Sequence, residues 1–542
     1  MKRIIYISLI AVCTLVSTSC ENWLDVNTNP NGPDAILPPD LYLPQIQSEL
    51  SVAIQWDARY AGQYTQDWVS TGVDNVFDAH GHPTSSDAYS QLWRAVYFSM
   101  GYNLIDMMNS AEASQKYDFV GVGHILKALG WQMLTDYHGE IILSEAFTPD
   151  QRTFEYDNQE FVYNEIKKEL QLGIQNLERT DGIDANGSGL RTADLIYNGD
   201  RSKWIKFAYG LLAINANRLT NKSSYNPDEV ITNLNKSFTS NADDALIRYE
   251  GTNSANANWY GPIRNNLGAL RQSTFIIGLL NGTNPSLMPA ANDPVLTTEK
   301  LNDPRIAAMM APAPDGKYRG LTPLAGLGSV VAERPNTFWG TTSGNVVTPS
   351  SQQVYLFGNA TPHPIMTYAM LQFIRAEAEW RKAKGASQQA LDAYKAGVTA
   401  HIDFARQFAV DKALYDQRRT AYLGSEETIP TTPVGLTLSK IMLQKYIATW
   451  GWGLGMMETW SDFRRYHYNV DVVPNDGITT TGVYTGFVLP SALAVSNNGQ
   501  LAYRARPRFN SEYMWNKDAL EKIGGFDPAF HTFETWFSKP SE

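Results

Sequence analysis

The stretch PIMTYAMLQFIRAEAEWRKAKGASQQALDAYKAGVTAHIDFARQF, residues 364–408, carries the pattern from which the fold is read. Met366, Met370, Phe373, Ala376 and Trp380 recur at steps of three and four, which puts them on one face of an α-helix. Gly385 ends that helix, because glycine enters left-handed backbone without steric cost. Ser387 can cap a second helix by accepting a bond from one of its unpaired N–H groups. Leu391, Tyr394, Val398, Ile402 and Ala405 then mark the buried face. Two long amphipathic helices joined by a tight glycine turn make an αα-hairpin.

The same period recurs upstream. In YDNQEFVYNEIKKELQLGIQNLE, Asp157 and Glu160 stand in capping-box spacing ahead of the stripe Val162, Ile166, Leu170, Ile174 and Leu177. NPDEVITNL offers Asn226 as cap and Pro227 at the first helical position. Trp204, Phe207, Leu211 and Ile214 stripe the helix before it. The Ala390, Tyr394, Gly397 spacing resembles the second helix of a tetratricopeptide unit. No regular period of ~34 residues runs through the chain, so such units are dispersed. Long irregular stretches interrupt the helices at about 70–85, 251–265, 281–362 and 469–510, and loops of this length usually carry function. The expected fold is predominantly all-α, helical hairpins with long inserted loops and minor β structure.

The N-terminus reads as an export signal. Lys2 and Arg3 precede an apolar run from Ile4 to Val16, then the small residues Ser17, Thr18 and Ser19. The run is shorter than the ~20 residues a spanning helix needs. Of the two cysteines among 542 residues, Cys13 lies inside this segment, so Cys20 has no disulfide partner after cleavage. The order resembles a bacterial lipoprotein signal, with residues 1–19 removed and Cys20 acylated as the membrane anchor. Residues 20–39 then form a tether, and 40–542 a single domain. Within the tether, DVNTNPNGPD alternates Asp25, Asn27, Asn29 and Asn31 like the start of a calcium loop. Pro30 and Ile36 stand where such a loop requires Gly and Glu, so turn chemistry explains it better.

Composition narrows the function. Hydrophobic residues make up 43% and charged residues 18%, enough for a large core. A net charge of −11 disfavours nucleic acid, whose phosphates need clustered Lys and Arg. It also leaves acyl chains as the only membrane link. No nucleophile elbow, zinc-protease helix or phosphate loop is present. GWGLG (451–455) lacks dinucleotide spacing and fits a sharp turn or a close helix contact. His80 and His82 beside Asp78 could hold a metal, but exposed loop histidines two apart commonly do not. His138, in a turn before Gly139, reads as a bystander more readily than as a general base.

Seven stretches, in order, are similar to one family, the SusD/RagB-type outer-membrane lipoproteins of Bacteroidota. They are CENWLDVNTNPNGP (20–33), MLTDYHGEIILSEAF (133–147), YDNQEFVYNEI (156–166) and DLIYNGDRSKWIKFAYGLLAINANRL (194–219). PIMTYAMLQFIRAEAEW (364–380), KIMLQKYIATWGWGLGMMETWSDFRR (440–465) and RPRFNSEY (506–513) complete the set. The resemblance implies a tetratricopeptide-like fold on the outer face of the outer membrane. It implies binding of a nutrient, commonly an oligosaccharide and sometimes a peptide, without chemistry. It also implies a SusC-like TonB-dependent transporter as partner, capped by this chain as a hinged lid. No cofactor is implied, and a structural calcium ion is left open. Asp136, Gly139, Trp204 and Arg464 fall in the shared stretches and read as scaffold.

The ligand residues are sought in the loops, where rings beside amides suit a sugar's CH faces and hydroxyls. Trp259 and Tyr260 with Asn256 and Asn258 form one cluster. Phe338 and Trp339 near Asn336 form a second, and Trp68, Asn75 and Phe77 a third. For each, the competing reading is a ring that plugs its loop onto the core. Two other functions stay open: a surface-anchored glycoside hydrolase, and a structural or adhesive surface lipoprotein.

Overall fold

The computed structural model describes residues 37–182, 188–284, 286–287, 303–341, 355–469 and 482–540. The signal segment, Cys20 and the turn-rich run after it lie outside the described residues. The principal helices are α1 Pro39–Tyr64, α2 Gly101–Ala113, α3 Tyr117–His138, α4 Gln159–Glu178, α5 Arg201–Asn217 and α6 Pro227–Leu234. They continue with α7 Tyr368–Lys382, α8 Gln388–Ala405, α9 Lys412–Leu423, α10 Leu438–Thr449 and α11 Gly453–Arg465. The protein is mostly helical. No described helix is long and apolar enough to cross a membrane.

The deciding hairpin forms as its residues require. The Thr367 hydroxyl accepts from Met370 N at 3.2 Å, and α7 starts one residue later. Met366, expected on the helix, belongs instead to a strand that ends at this cap. Gly385 takes a φ of 148°, and its N–H closes onto Trp380 O. The Ser387 hydroxyl accepts from Ala390 N at 3.1 Å and opens α8. Met370, Phe373, Leu391, Tyr394, Val398 and Ile402 are fully buried between the two helices and the rest of the core. A Cβ on Gly397 would lie 2.9 Å from the Phe373 ring, so its absence sets the close approach of α8 to α7.

The start of α4 differs from expectation. Asn158, not Asp157, is the cap, its side-chain oxygen accepting from Phe161 N at 2.9 Å. Asp157 is used to fix the turn after α3: its carboxylate accepts from Leu143 N and Ser144 N at 2.9 and 2.8 Å. Asn226 does cap α6, accepting from Asp228 N at 3.0 Å.

Helices pack in sequence, α3 on α4, α4 on α5, α5 on α6, α6 on α7 and α7 on α8, with α1 laid against α2 and α11. A ladder of buried charge joins them. Arg218 pairs with Asp136 (3.0 Å) and Glu458 (2.5 Å), Lys445 with Glu458 (2.6 Å) and Asp462 (2.8 Å), and Arg465 with Asp462 (2.6 Å) and Glu377 (2.8 Å). Burial alone would push the Glu458 carboxyl up, but Arg218 and Lys445 beside it outweigh this and hold it below the usual carboxylate range. Each charge is tolerated because its neighbours compensate it.

The GWGLG segment is both a turn and a close contact. Gly451 has φ +83°, and a Cβ on Gly453 would stand 2.3 Å from Ile54 Cγ2, where α11 crosses α1. Two small antiparallel sheets pin the inserted loops to this body. Strand β1 (Trp68–Ser70) pairs with β3 (Leu270–Gln272), and β2 (Ala245–Ile247) with β4 (His363–Met366). The first pairing draws the loop after α1 and the loop of residues 251–269 to the same end of α1.

Candidate functional site

The core face of α1 is the stripe Leu43, Ile46, Leu50, Ala53, Ile54, Ala58 and Ala61. Trp56, Arg59 and Tyr60 lie off that stripe, at spacing i, i+3, i+4, and share a half-buried outer face. The pinned loops add a ring at each end. Trp259 lies 5.3 Å from Trp56 between centroids, and Phe77 lies 4.5 Å from Tyr60. The Arg59 guanidinium sits 4.8 Å from the Trp56 ring, 4.6 Å from Trp259 and 5.4 Å from Tyr60. Its Nε donates to Trp56 O at 3.3 Å, and no carboxylate lies within ion-pair distance of it among the described residues. The result is a continuous ridge, Trp259–Trp56–Arg59–Tyr60–Phe77.

A second layer of rings holds the ridge from below, and most of the expected site residues are found there. Trp68 is fully buried, its Nε1 donating to Arg59 O at 2.8 Å. It meets Tyr260 and Phe338 edge-on at 5.6 and 5.7 Å. The Tyr260 hydroxyl donates to Gln55 O at 3.0 Å, and Trp339 Nε1 donates to Tyr260 O at 2.9 Å. Gly62 makes room, since a Cβ there would stand 2.7 Å from Trp68 Nε1. Trp68, Tyr260, Phe338 and Trp339 are at most 5% exposed and offer a ligand no face in this conformation. The loops that carry them fold back over α1, and burying so much ring area outweighs the tendency of loops to run over the surface.

The amides are equally committed. Asn258 accepts from Gln55 Nε2 at 2.7 Å and donates to Leu356 O at 2.8 Å. Asn256 staples its own loop, accepting from Thr252 N and Asn253 N and donating to Glu250. Asn336 donates to Pro312 O at 2.7 Å. Of the expected residues, Asn75 is exposed, Phe77 is half-buried, and Trp259 reaches the ridge while only 3% exposed. Trp56, Arg59 and Tyr60 were not anticipated. Their signal was present in the sequence, as large rings lying off the apolar stripe of their helix.

Two carboxyls lie under the ridge. Burial drives Asp57 up to about 7, against the N–H groups of Leu92 and Gln91 that it accepts from. Burial also drives Asp78 up to about 7, while Gln63 donates to both Asp78 (2.8 Å) and Asp74 (3.0 Å). A raised carboxyl beside a second one is a pattern that general acids use. Here Asp78 is fully buried and accepts from Ser70 N at 3.1 Å, so it fastens the loop to α1. The arrangement offers stacking surfaces and guanidinium donors.

The histidines also differ from expectation. His80 and His82 are buried, not exposed, and burial lowers His80 to about 3, where it stacks on Tyr64 at 5.1 Å. His138 meets Trp93 edge-on at 4.9 Å and is lowered to about 3 by burial. Among the described residues no three His, Cys, Asp or Glu side chains cluster to hold a metal ion. Asp136 accepts from Arg218 and Tyr163, Gly139 turns the chain at φ +83°, Trp204 donates to Asp194, and Arg464 donates to Asp136 O at 2.6 Å. These contacts are internal, as scaffold requires.

Comparison with known proteins places this geometry. A family model named SusD-like and described as starch-binding and associating with outer membrane matches residues 31–483. A SusD/RagB family protein from Bacteroides thetaiotaomicron VPI-5482 superposes with a TM-score of 0.67 at 22% identity, covering 93% of this chain and 100% of its own. A SusD homologue from Bacteroides fragilis NCTC 9343 gives 0.64 at 20% identity, covering 93% and 100%. A chitin-binding protein gives 0.63 at 21%, covering 92% and 99%. At these identities the likeness is one of fold. No curated protein matches the sequence.

Proposed function

The chain belongs to the SusD-like family, and from that premise we propose that it is a surface-exposed outer-membrane lipoprotein that binds a nutrient oligosaccharide. It delivers the ligand to a partner SusC-like TonB-dependent transporter and serves as that transporter's lid. Acylated Cys20 holds it to the membrane, and it makes and breaks no bond in the ligand and needs no cofactor.

The observation that carries this reading is the ridge on α1. Trp56 and Tyr60 present ring area to solvent in a rigid helix, and Arg59 holds unpaired guanidinium donors between them. A sugar ring stacks its CH face on such rings while its hydroxyls accept from the cation. Phe77 and Asn75 extend the surface, and the buried Trp259 backs the Trp56 ring. The description of the family as starch-binding, and a chitin-binding protein of the same fold, support a saccharide over a peptide. The closure of Asp78 away from solvent favours binding over hydrolysis.

The test is calorimetric titration of residues 21–542 with starch-derived, chitin-derived and peptide ligands, each mixture then assayed for breakdown. Saturable heat from an oligosaccharide that stays intact is expected. Hydrolysis products, or saturation by peptides alone, would replace this reading.

A further inference from the structure

An aromatic cavity walled by Trp93, Tyr97, Phe98 and Tyr102 shares no lining residue with the ridge and is built from unusual backbone. Two π-helical turns, Ala95–Ser99 and Phe509–Tyr513, both face it. The first contributes Tyr97 and Phe98, the second Ser511 and Glu512. Such turns are rare and recur at functional sites. The first is closed by Met100 N on Ala95 O at 2.9 Å, and Gly101 follows because a Cβ there would meet Val96 O at 2.0 Å and the Phe147 ring at 2.6 Å. Phe147 itself stands at φ +65°, a conformation that bulky residues keep only where their surroundings enforce it.

The cavity encloses about 360 Å³ and has aromatic walls. Phe98 and Tyr102 are 60% and 54% exposed, so their faces are open to a ligand. Its polar groups are mixed. The Arg94 and Arg508 side chains make no hydrogen bond or ion pair with other described residues, the Arg94 guanidinium lying 5.8 Å from the Phe98 ring, and the Ser511 hydroxyl is shielded from solvent without a partner. Glu512 engages Tyr156 and Asn516 through one oxygen, Oε2, only. Free donors and a free acceptor around stacking rings match a ligand that both accepts and donates around an apolar face. We infer that this cavity is a second saccharide-binding site, taking a single sugar ring between Phe98 and Tyr102 with its hydroxyls on Arg508 and Glu512. The inference shares with the proposed function only the ligand class.

The test is saturation-transfer NMR with three probes: methyl β-D-glucopyranoside, methyl α-D-galacturonate and phenylalanine. They are applied to the wild-type chain, to Phe98→Ala/Tyr102→Ala and to Trp56→Ala/Tyr60→Ala. Phe98 and Tyr102 are exposed and Trp56 and Tyr60 half-buried, so circular dichroism and a melting curve first establish that each protein keeps the fold. The expected result is transfer to a glycoside that survives the Trp56/Tyr60 change and falls at least fivefold in the Phe98/Tyr102 protein. Which glycoside responds tells a neutral from an acidic sugar. Transfer that is lost only with Trp56 and Tyr60 overturns this site and leaves the proposed function standing. Transfer to phenylalanine alone, or to no probe, overturns the saccharide assignment here.

Discussion

Trp56 and Trp68 are the same residue type twelve positions apart, and they are expected to fail in opposite ways when truncated. Trp68 is fully buried with its N–H bonded to Arg59 O. Its change to Ala should cost about 3–5 kcal/mol of stability, read from chemical unfolding, because the cavity cannot collapse against Tyr260 and Phe338. Trp56→Ala should leave stability within about 1 kcal/mol and weaken oligosaccharide binding at least tenfold, since it removes exposed stacking area. The contrast also marks how far sequence reading reached at this scale. An aromatic in a long polar loop looks available, and the reading of Trp259, Trp339 and Trp68 as candidate ligand contacts rested on that. Whether a loop ring turns outward is decided by tertiary closure, here the β1–β3 pairing and Gly62. Neither leaves a local mark at the tryptophan itself.

Elements were far more legible than side-chain directions, because helical period and caps are local. Ser387, Asn226 and Gly385 perform as their types require. Where the reading slipped, a neighbour with the same chemistry took the role: Asn158 capped α4 because Asp157 was drawn into bonds with Leu143 and Ser144. Removing the Ser387 hydroxyl by Ser387→Ala should lower stability by about 1 kcal/mol. Gly453→Ala tests the helix crossing. Its new methyl would stand 2.3 Å from Ile54 Cγ2 and 3.0 Å from Ile54 O. Overpacking of this kind costs about 1–3 kcal/mol, and a drop in melting temperature with unchanged helical circular dichroism is the expected outcome.

At the scale of the whole molecule, the buried charge ladder and the buried histidines set the response to pH. The ladder was largely invisible in sequence, since Asp136, Arg218 and Glu377 lie far from one another and from the adjacent helices α10 and α11 that carry Lys445, Glu458, Asp462 and Arg465. Glu377→Gln leaves Arg465 and Arg381 without their shared carboxylate and should cost about 3–5 kcal/mol. His80, His138, His363 and His531 are each lowered to about 3 by burial. The unfolded chain binds protons on them below about 6.5 while the folded one does not, so stability is lost as pH falls from about 6.5 towards 3. Asp57 and Asp78 run the other way. Held at about 7, they bind protons in the folded state that the unfolded state releases above about 4. Asp57→Asn should therefore steepen the loss of melting temperature between pH 6.5 and 4, and a shallower slope would contradict the assignment.

The fold, the loops and the ridge all serve one claim, that this chain holds a saccharide on the outer face of α1. The measurement that tests it most directly is the ratio of affinities, by calorimetry, of the wild-type chain and of Trp56→Ala/Tyr60→Ala for the tightest-binding oligosaccharide. A loss of a hundredfold or more, with the melting temperature held and the ligand recovered intact, is the predicted result. Equal affinity in the two proteins would contradict the ridge as the binding site.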